Sequence, residues 1–172
     1  MVKAYFVAGL AGSGKSYYSR KIAKELDLKM IDFDDNFNDF IRAHKNEYEE
    51  LGSEKFLAIY ASTRYTDLIN RAVTQLQQDF SVVIAAPFSK QIQDQKLWDE
   101  LISPLKTFDP KPTLFWVVIP DELRKKRLVT RGEKRDAEKI KKIDEYISLS
   151  PAKPPVVEHI LVQGDKGIEL AQ

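Results

Sequence analysis

The sequence predicts a three-layer αβα domain in which a five-stranded parallel sheet is covered by helices on both faces. Three observations lead to that fold. Five short apolar runs recur along the chain, at Ala4 to Ala8, Lys29 to Phe33, Ser81 to Ala86, Thr113 to Ile119 and His159 to Val162, with the length and bounding residues of buried strands. Between them lie longer segments whose apolar residues recur at helical spacing. Strands that alternate with helices imply right-handed crossovers and a parallel sheet buried on both sides.

The elements follow in order. The first strand runs directly into a glycine-rich loop. The second ends in the acidic stretch Asp32-Phe33-Asp34-Asp35, after which two helical stretches are expected between about Asn36 and Gln78. Ile69, Ala72, Val73, Leu76 and Phe80 mark the inward face of the second stretch. Pro110, Pro112 and Pro120 bracket the fourth strand. Ile140, Ile143 and Ile147 continue a last long helix, which Pro151, Pro154 and Pro155 bring to an end before the fifth strand. Neither an internal repeat nor a change of composition divides the chain, so residues 1–172 are expected to form one domain.

Composition narrows the function. With 27 Lys and Arg against 26 Asp and Glu, the net charge is +1, too small for tight binding to long nucleic acid or for a membrane-surface protein. No apolar run is long enough to span a bilayer, and a cytoplasmic location is expected. The chain has no cysteine, so its chemistry must come from carboxylates, amines, guanidinium groups and a bound metal.

Gly9, Leu10, Ala11, Gly12, Ser13, Gly14, Lys15 and Ser16 fulfil G-x-x-x-x-G-K-[ST] directly after a strand and before a helix. The glycines let successive N–H groups turn toward phosphate oxygens, and the positive end of the following helix adds to the attraction. Lys15 then reaches the β- and γ-phosphates of ATP, and the Ser16 hydroxyl joins the Mg²⁺ shell. The third strand, Val82 to Ala86, ends without the carboxylate by which many phosphate-loop ATPases hold Mg²⁺. The second strand offers Asp32 and Asp34 instead. In an extended segment both point to the same side, toward the crevice at the carboxyl ends of the strands. One can hold a metal-bound water while the other accepts a proton from an attacking hydroxyl. The same acidic cluster can also start a helix, and Asp35 is the member expected to act only as its cap.

With these motifs the chain resembles the P-loop kinases of the shikimate, gluconate, adenylate and polynucleotide 5′-hydroxyl kinase type. The resemblance implies the strand order 2-3-1-4-5, and places Asp32 near Mg²⁺ and Asp34 on the acceptor hydroxyl. It also marks the arginine-rich segment after the fourth strand, about 124–138, as a lid. There Arg127 and Arg131 stand four apart on one helical face and Gly132 can stop the helix. Arg131 is the implied contact of the transferring phosphate, with Arg127 and Arg135 behind it, while Arg124 and Lys125 are expected to be solvated. The acceptor is expected over residues 36–78, where Arg42, His44, Tyr60, Arg64 and Tyr65 are candidates. Arg64 is singled out because an inward guanidinium needs an anionic partner, with a surface pair to Asp67 as the alternative. His44 is expected to be exposed. Trp98, Phe115 and Trp116 are assigned to the core, and the loop 163–167 is expected to border the adenine. Related kinases often end the third strand in Asp-Ala-Pro-Phe; here Ala85 stands at that Asp position, before Ala86, Pro87 and Phe88. The expected partners are ATP and an unidentified phosphate acceptor. A nucleotide-dependent switch acting on a protein partner and a polynucleotide 5′-kinase remain as alternatives.

Overall fold

The computed structural model describes residues 1–133 and 136–165. Five strands, β1 (Ala4–Ala8), β2 (Lys29–Asp32), β3 (Val82–Ala86), β4 (Thr113–Val118) and β5 (Ile160–Gln163), form one sheet in the order β2-β3-β1-β4-β5. Every neighbouring pair is parallel. The expected fold class and strand order are therefore those observed.

Alternation in β1 explains the three layers. Phe6 points to one side, where Leu68, Ile69, Ala72 and Leu76 of α4 (Ser53–Gln77) and Trp98 and Ile102 of α5 (Gln95–Ile102) pack against Ile84 and Trp116. Val7 points to the other side and meets Tyr18 and Ile22 of α1 (Lys15–Glu25) together with Phe115 and Val162. Phe6, Val7 and Ile22 are wholly buried, and each such side chain stabilises the fold by about 1.5–3 kcal/mol relative to exposure. Trp98, Phe115 and Trp116 lie in this core as expected.

The helices between β2 and β3 differ from expectation. Three are present rather than two: α2 (Phe37–Ala43), α3 (Lys45–Leu51) and α4. The chain breaks at His44 and again at Gly52, whose φ of 79° favours glycine. Phe80 lies beyond the end of α4, 43% exposed, with the Lys29 ammonium 4.5 Å from its ring centroid. His44 is half-buried against Phe40, Phe56 and Tyr60, because the helix break turns its ring inward.

After β4 come α6 (Asp121–Arg131), α7 (Ala137–Lys141) and α8 (Ile143–Leu149). The single long helix expected around Ile140, Ile143 and Ile147 is thus two short ones, parted at Lys142, whose φ and ψ are −130° and 53°. Gly132 ends α6 in the left-handed conformation, as its position suggested.

Candidate active site

The glycine-rich loop Gly9 to Ser16 joins β1 to α1 at the carboxyl edge of the sheet. Gly14 precedes α1 with φ 96°, and no side chain caps the helix. The first N–H groups of α1 thus remain available for an anion. Gly9 lies so close to its surroundings that a Cβ there would stand 2.4 Å from Ser13 Oγ and 2.9 Å from the Val117 carbonyl. Ser13 Oγ is buried without a hydrogen-bond partner. A backbone cradle with an orphaned hydroxyl fits a polyphosphate ligand.

Leu10 to Ser16 line a single cleft of 1970 Å³ that continues past Asp34 to α2, α3, α4 and α5 and, on its other side, to α6 and α7. Pockets for one small ligand are typically about 300–1,000 Å³, so this cleft has room for two.

The acidic segment turns where extended backbone was expected. The strand ends at Asp32, and residues 33–36 form a turn in which the Asp35 N–H donates to the Asp32 carbonyl at 3.3 Å and Phe37 N–H to the Asp34 carbonyl at 3.1 Å. Asp32 Oδ1 accepts the Asp34 N–H at 2.9 Å. Burial pushes the Asp32 carboxyl above its ordinary pKa, opposed by that N–H and by Lys15 and reinforced by Asp34 and Asp35. Asp34 lines the cleft. Asp35 caps no helix: its Oδ2 accepts the Asp32 N–H at 3.1 Å and faces Arg71 Nη1 at 3.9 Å. The N-cap of α2 is Asn36, with no side-chain bond to the helix.

Arg64 of α4 points inward, with its side chain 9% exposed. Its Nη2 donates to the Phe33 carbonyl at 3.0 Å and stands 3.8 Å from Asp34 Oδ1, and the guanidinium lies 3.9 Å from the Phe33 ring centroid. Burial lowers its pKa, and Asp34 opposes the change. The alternative of a surface pair between Arg64 and Asp67 is not formed, because Asp67 pairs with Arg71 at 3.1 Å. Tyr65 stacks on Phe33 at 4.7 Å. Of the other acceptor candidates, Arg42 pairs with Asp39 at the surface, and the Tyr60 hydroxyl donates to Glu47 Oε2 at 2.6 Å. His44 Nδ1 lies 3.0 Å from the Phe40 carbonyl.

On α6, Arg127 and Arg131 both line the cleft. Arg127 makes long hydrogen bonds to the Ser13 carbonyl (3.5 Å) and the Gly164 carbonyl (3.4 Å). Its Nη1 would be 3.1 Å from a Cβ on Gly14. Arg131 is held by the buried carboxylate of Asp136, with its Nε at 3.0 Å, and by Glu133 at 3.4 Å. Lys139 joins that cluster, 3.3 Å from Asp136. Arg124, expected to be solvated, is only 1% exposed. Its Nη2 donates to the Ser150 carbonyl and hydroxyl, each at 2.9 Å, and its stem lies against Gly12. Lys125 is half-buried beside Asp144. Arg135, Lys166 and Gly167 lie outside the described residues.

Sequence reasoning missed the far wall of the cleft, formed by Leu97 and Leu101 of α5 with Pro104 beyond it. Their helical spacing was legible, but nothing local distinguishes a cleft wall from a solvated face. Ser16 lines the cleft and Asp32 does not; a hydroxyl and a carboxylate are hard oxygen donors of the kind that suit Mg²⁺. Among the described residues no group of three or more His, Cys, Asp or Glu is placed to hold a metal. Mg²⁺ commonly takes one or two protein oxygens and completes its shell from phosphate and water. No helix among the described residues is long and apolar enough to cross a membrane.

A family model for the AAA domain matches residues 5–147. A search of curated protein sequences finds no match. Among solved structures, a candidate kinase from Chloroflexus aurantiacus is 18% identical with a TM-score of 0.63, over 94% of this chain and 86% of that one. A sugar kinase from a Janibacter species is 14% identical with a TM-score of 0.58, over 97% and 88%. A gluconokinase from Sinorhizobium meliloti is 15% identical with a TM-score of 0.57, over 96% and 84%. At these identities the likeness is one of fold.

Proposed function

The chain belongs to the AAA domain family, and from that premise we propose that it is a kinase that transfers the γ-phosphate of ATP to a hydroxyl-bearing small molecule or nucleotide. The observation that carries this reading is one continuous cleft in which the phosphate-binding loop, with Lys15, and the carboxylate of Asp34 line the same space. A protein that only hydrolyses ATP has no need of a second ligand-sized volume beyond the phosphate loop.

In this reading ATP lies with its phosphates over Gly9 to Ser16 and the start of α1. The acceptor lies over α2 and α4 with its hydroxyl toward Asp34. As the acceptor oxygen bonds to the γ-phosphorus, the bond from phosphorus to the β–γ bridging oxygen breaks and ADP leaves. The hydroxyl proton passes to the Asp34 carboxylate. Lys15 and Arg131 offset the negative charge that spreads over the phosphate oxygens. Arg131 engages Asp136, so this role carries an exchange of partners as the helix that bears it, α6, closes over the nucleotide. Arg127, and Arg135 beyond the described residues, support the nucleotide side. Mg²⁺, when held by Ser16 and Asp32, supplies further charge neutralisation of the phosphates.

The test is ADP release from ATP and Mg²⁺ against nucleosides, nucleoside monophosphates, shikimate, gluconate, aminoglycosides, chloramphenicol and 5′-hydroxyl oligonucleotides. Stimulation by one acceptor is expected, reduced about 10²-fold or more by Asp34→Asn. Lys15→Ala is expected to lower turnover as strongly. Acceptor-stimulated turnover that survives either substitution unchanged overturns the mechanism.

A further inference from the structure

We propose that the phosphate acceptor is an uncharged hydroxyl compound with an apolar, ring-sized skeleton; this rests on the kinase reading above and narrows its substrate. The cleft beyond Asp34 is walled by Phe37 and Ile41 of α2, Leu57 and Ala61 of α4, and Leu101 and Pro104 around the end of α5. These side chains come from three separate helices and converge on one volume. A ligand that removed their apolar surface from water would gain free energy in proportion to the area covered. Around them the same wall carries Asn38, Ser62 and Asn70, neutral groups suited to hydroxyls.

Charge points the same way. Arg64 is the buried guanidinium of this wall, and its geometry turns it toward the protein. It donates to the Phe33 carbonyl at 3.0 Å, lies over the Phe33 ring and stands 3.8 Å from Asp34 Oδ1. An acceptor carboxylate or phosphate that sought this guanidinium would have to displace those contacts. It would also sit within a few ångströms of the Asp34 carboxylate, a like-charge approach that a half-dry cleft makes costly. Glu100 and Lys90 also line the cleft, one charge of each sign. Arg64 therefore acts as a positioning residue for Asp34 and the turn at Phe33, while the acceptor is selected by its apolar body.

A matched pair of probes separates the alternatives. Binding of 4-methylbenzyl alcohol and of 4-(hydroxymethyl)benzoate is measured by ligand-observed NMR on the full chain in the presence of ADP and Mg²⁺. The alcohol is expected to bind at least about fivefold more tightly than the carboxylate, and Ala61→Asp is expected to weaken the alcohol several-fold. Equal or tighter binding of the carboxylate overturns the proposal, and so does failure of both probes to bind. ATP binding, with Lys15→Ala as its control, is followed calorimetrically on the same preparations. If ATP does not bind, the kinase reading falls and this inference with it; if ATP binds and the carboxylate is preferred, only the inference falls.

Discussion

Phe88 has a φ of 49°, a left-handed conformation that is costly for a bulky side chain. It is fully buried, and its N–H donates to the Tyr65 hydroxyl at 3.0 Å. One tyrosine thus supports the strained turn beyond β3 with its hydroxyl while its ring stacks on Phe33 at the cleft. Tyr65→Phe leaves that buried N–H without its acceptor and is expected to cost about 1–3 kcal/mol, measured by urea unfolding. Desolvation pushes the Tyr65 phenol up to about 12 from its ordinary 10.0, opposed by the Phe88 N–H. A group whose pKa is raised by folding contributes stability that is complete below its unfolded pKa and lost as the folded pKa is passed. Unfolding free energy is therefore expected to fall between about pH 10 and 12. Tyr65→Phe should make that fall shallower, with Tyr18, also raised to about 12 by burial, accounting for much of what remains. An unchanged slope in the variant would contradict the assignment.

At the scale of elements, α6 connects the phosphate loop to α8. Arg124 carries the connection through its stem against Gly12, its bonds to Ser150 and its place 3.4 Å from Asp121. Its Nε and Nη1 have no hydrogen-bond partner, so much of its value lies in packing. Arg124→Ala is expected to destabilise by about 2–5 kcal/mol. Arg124→Met keeps most of the stem and removes a buried charge, so it should cost clearly less. Thermal and urea unfolding of both variants check the ranking. Equal losses would place the contribution in the bonds to Ser150 instead.

For the whole molecule, the sheet depends on joining segments distant in sequence. Asp109 is 2% exposed, lies before β4 and accepts the Ala4 N–H at 3.0 Å through Oδ2. Its Oδ1 faces Lys3 Nζ and the Lys111 N–H, each at 3.4 Å. One carboxylate thereby ties the start of β1, the strand that leads into the phosphate loop, to the approach of its neighbour β4. Asp109→Ala is expected to cost about 1–3 kcal/mol and to speed amide hydrogen exchange at Ala4. Normal protection there would remove Asp109 from this role.

The sequence by itself determined the strands, their parallel arrangement and the phosphate loop. Strand alternation, helical spacing and G-x-x-x-x-G-K-[ST] are local patterns, each a direct consequence of backbone geometry. Asp32, Asp34, Arg127 and Arg131 stand out as candidates for the same reason, as short spacings beside recognisable elements. Only the tertiary structure decided which way Arg64 and Arg124 face. Arg124 sits in a run of basic residues that reads as a solvated surface, and Arg64 had two plausible partners. Their burial depends on α4, α6, α8 and the phosphate loop meeting in space. The splitting of the helices at His44, Gly52 and Lys142, and the apolar wall that α5 contributes to the cleft, have the same origin. Packing between distant segments sets them, and no short stretch of sequence contains that information.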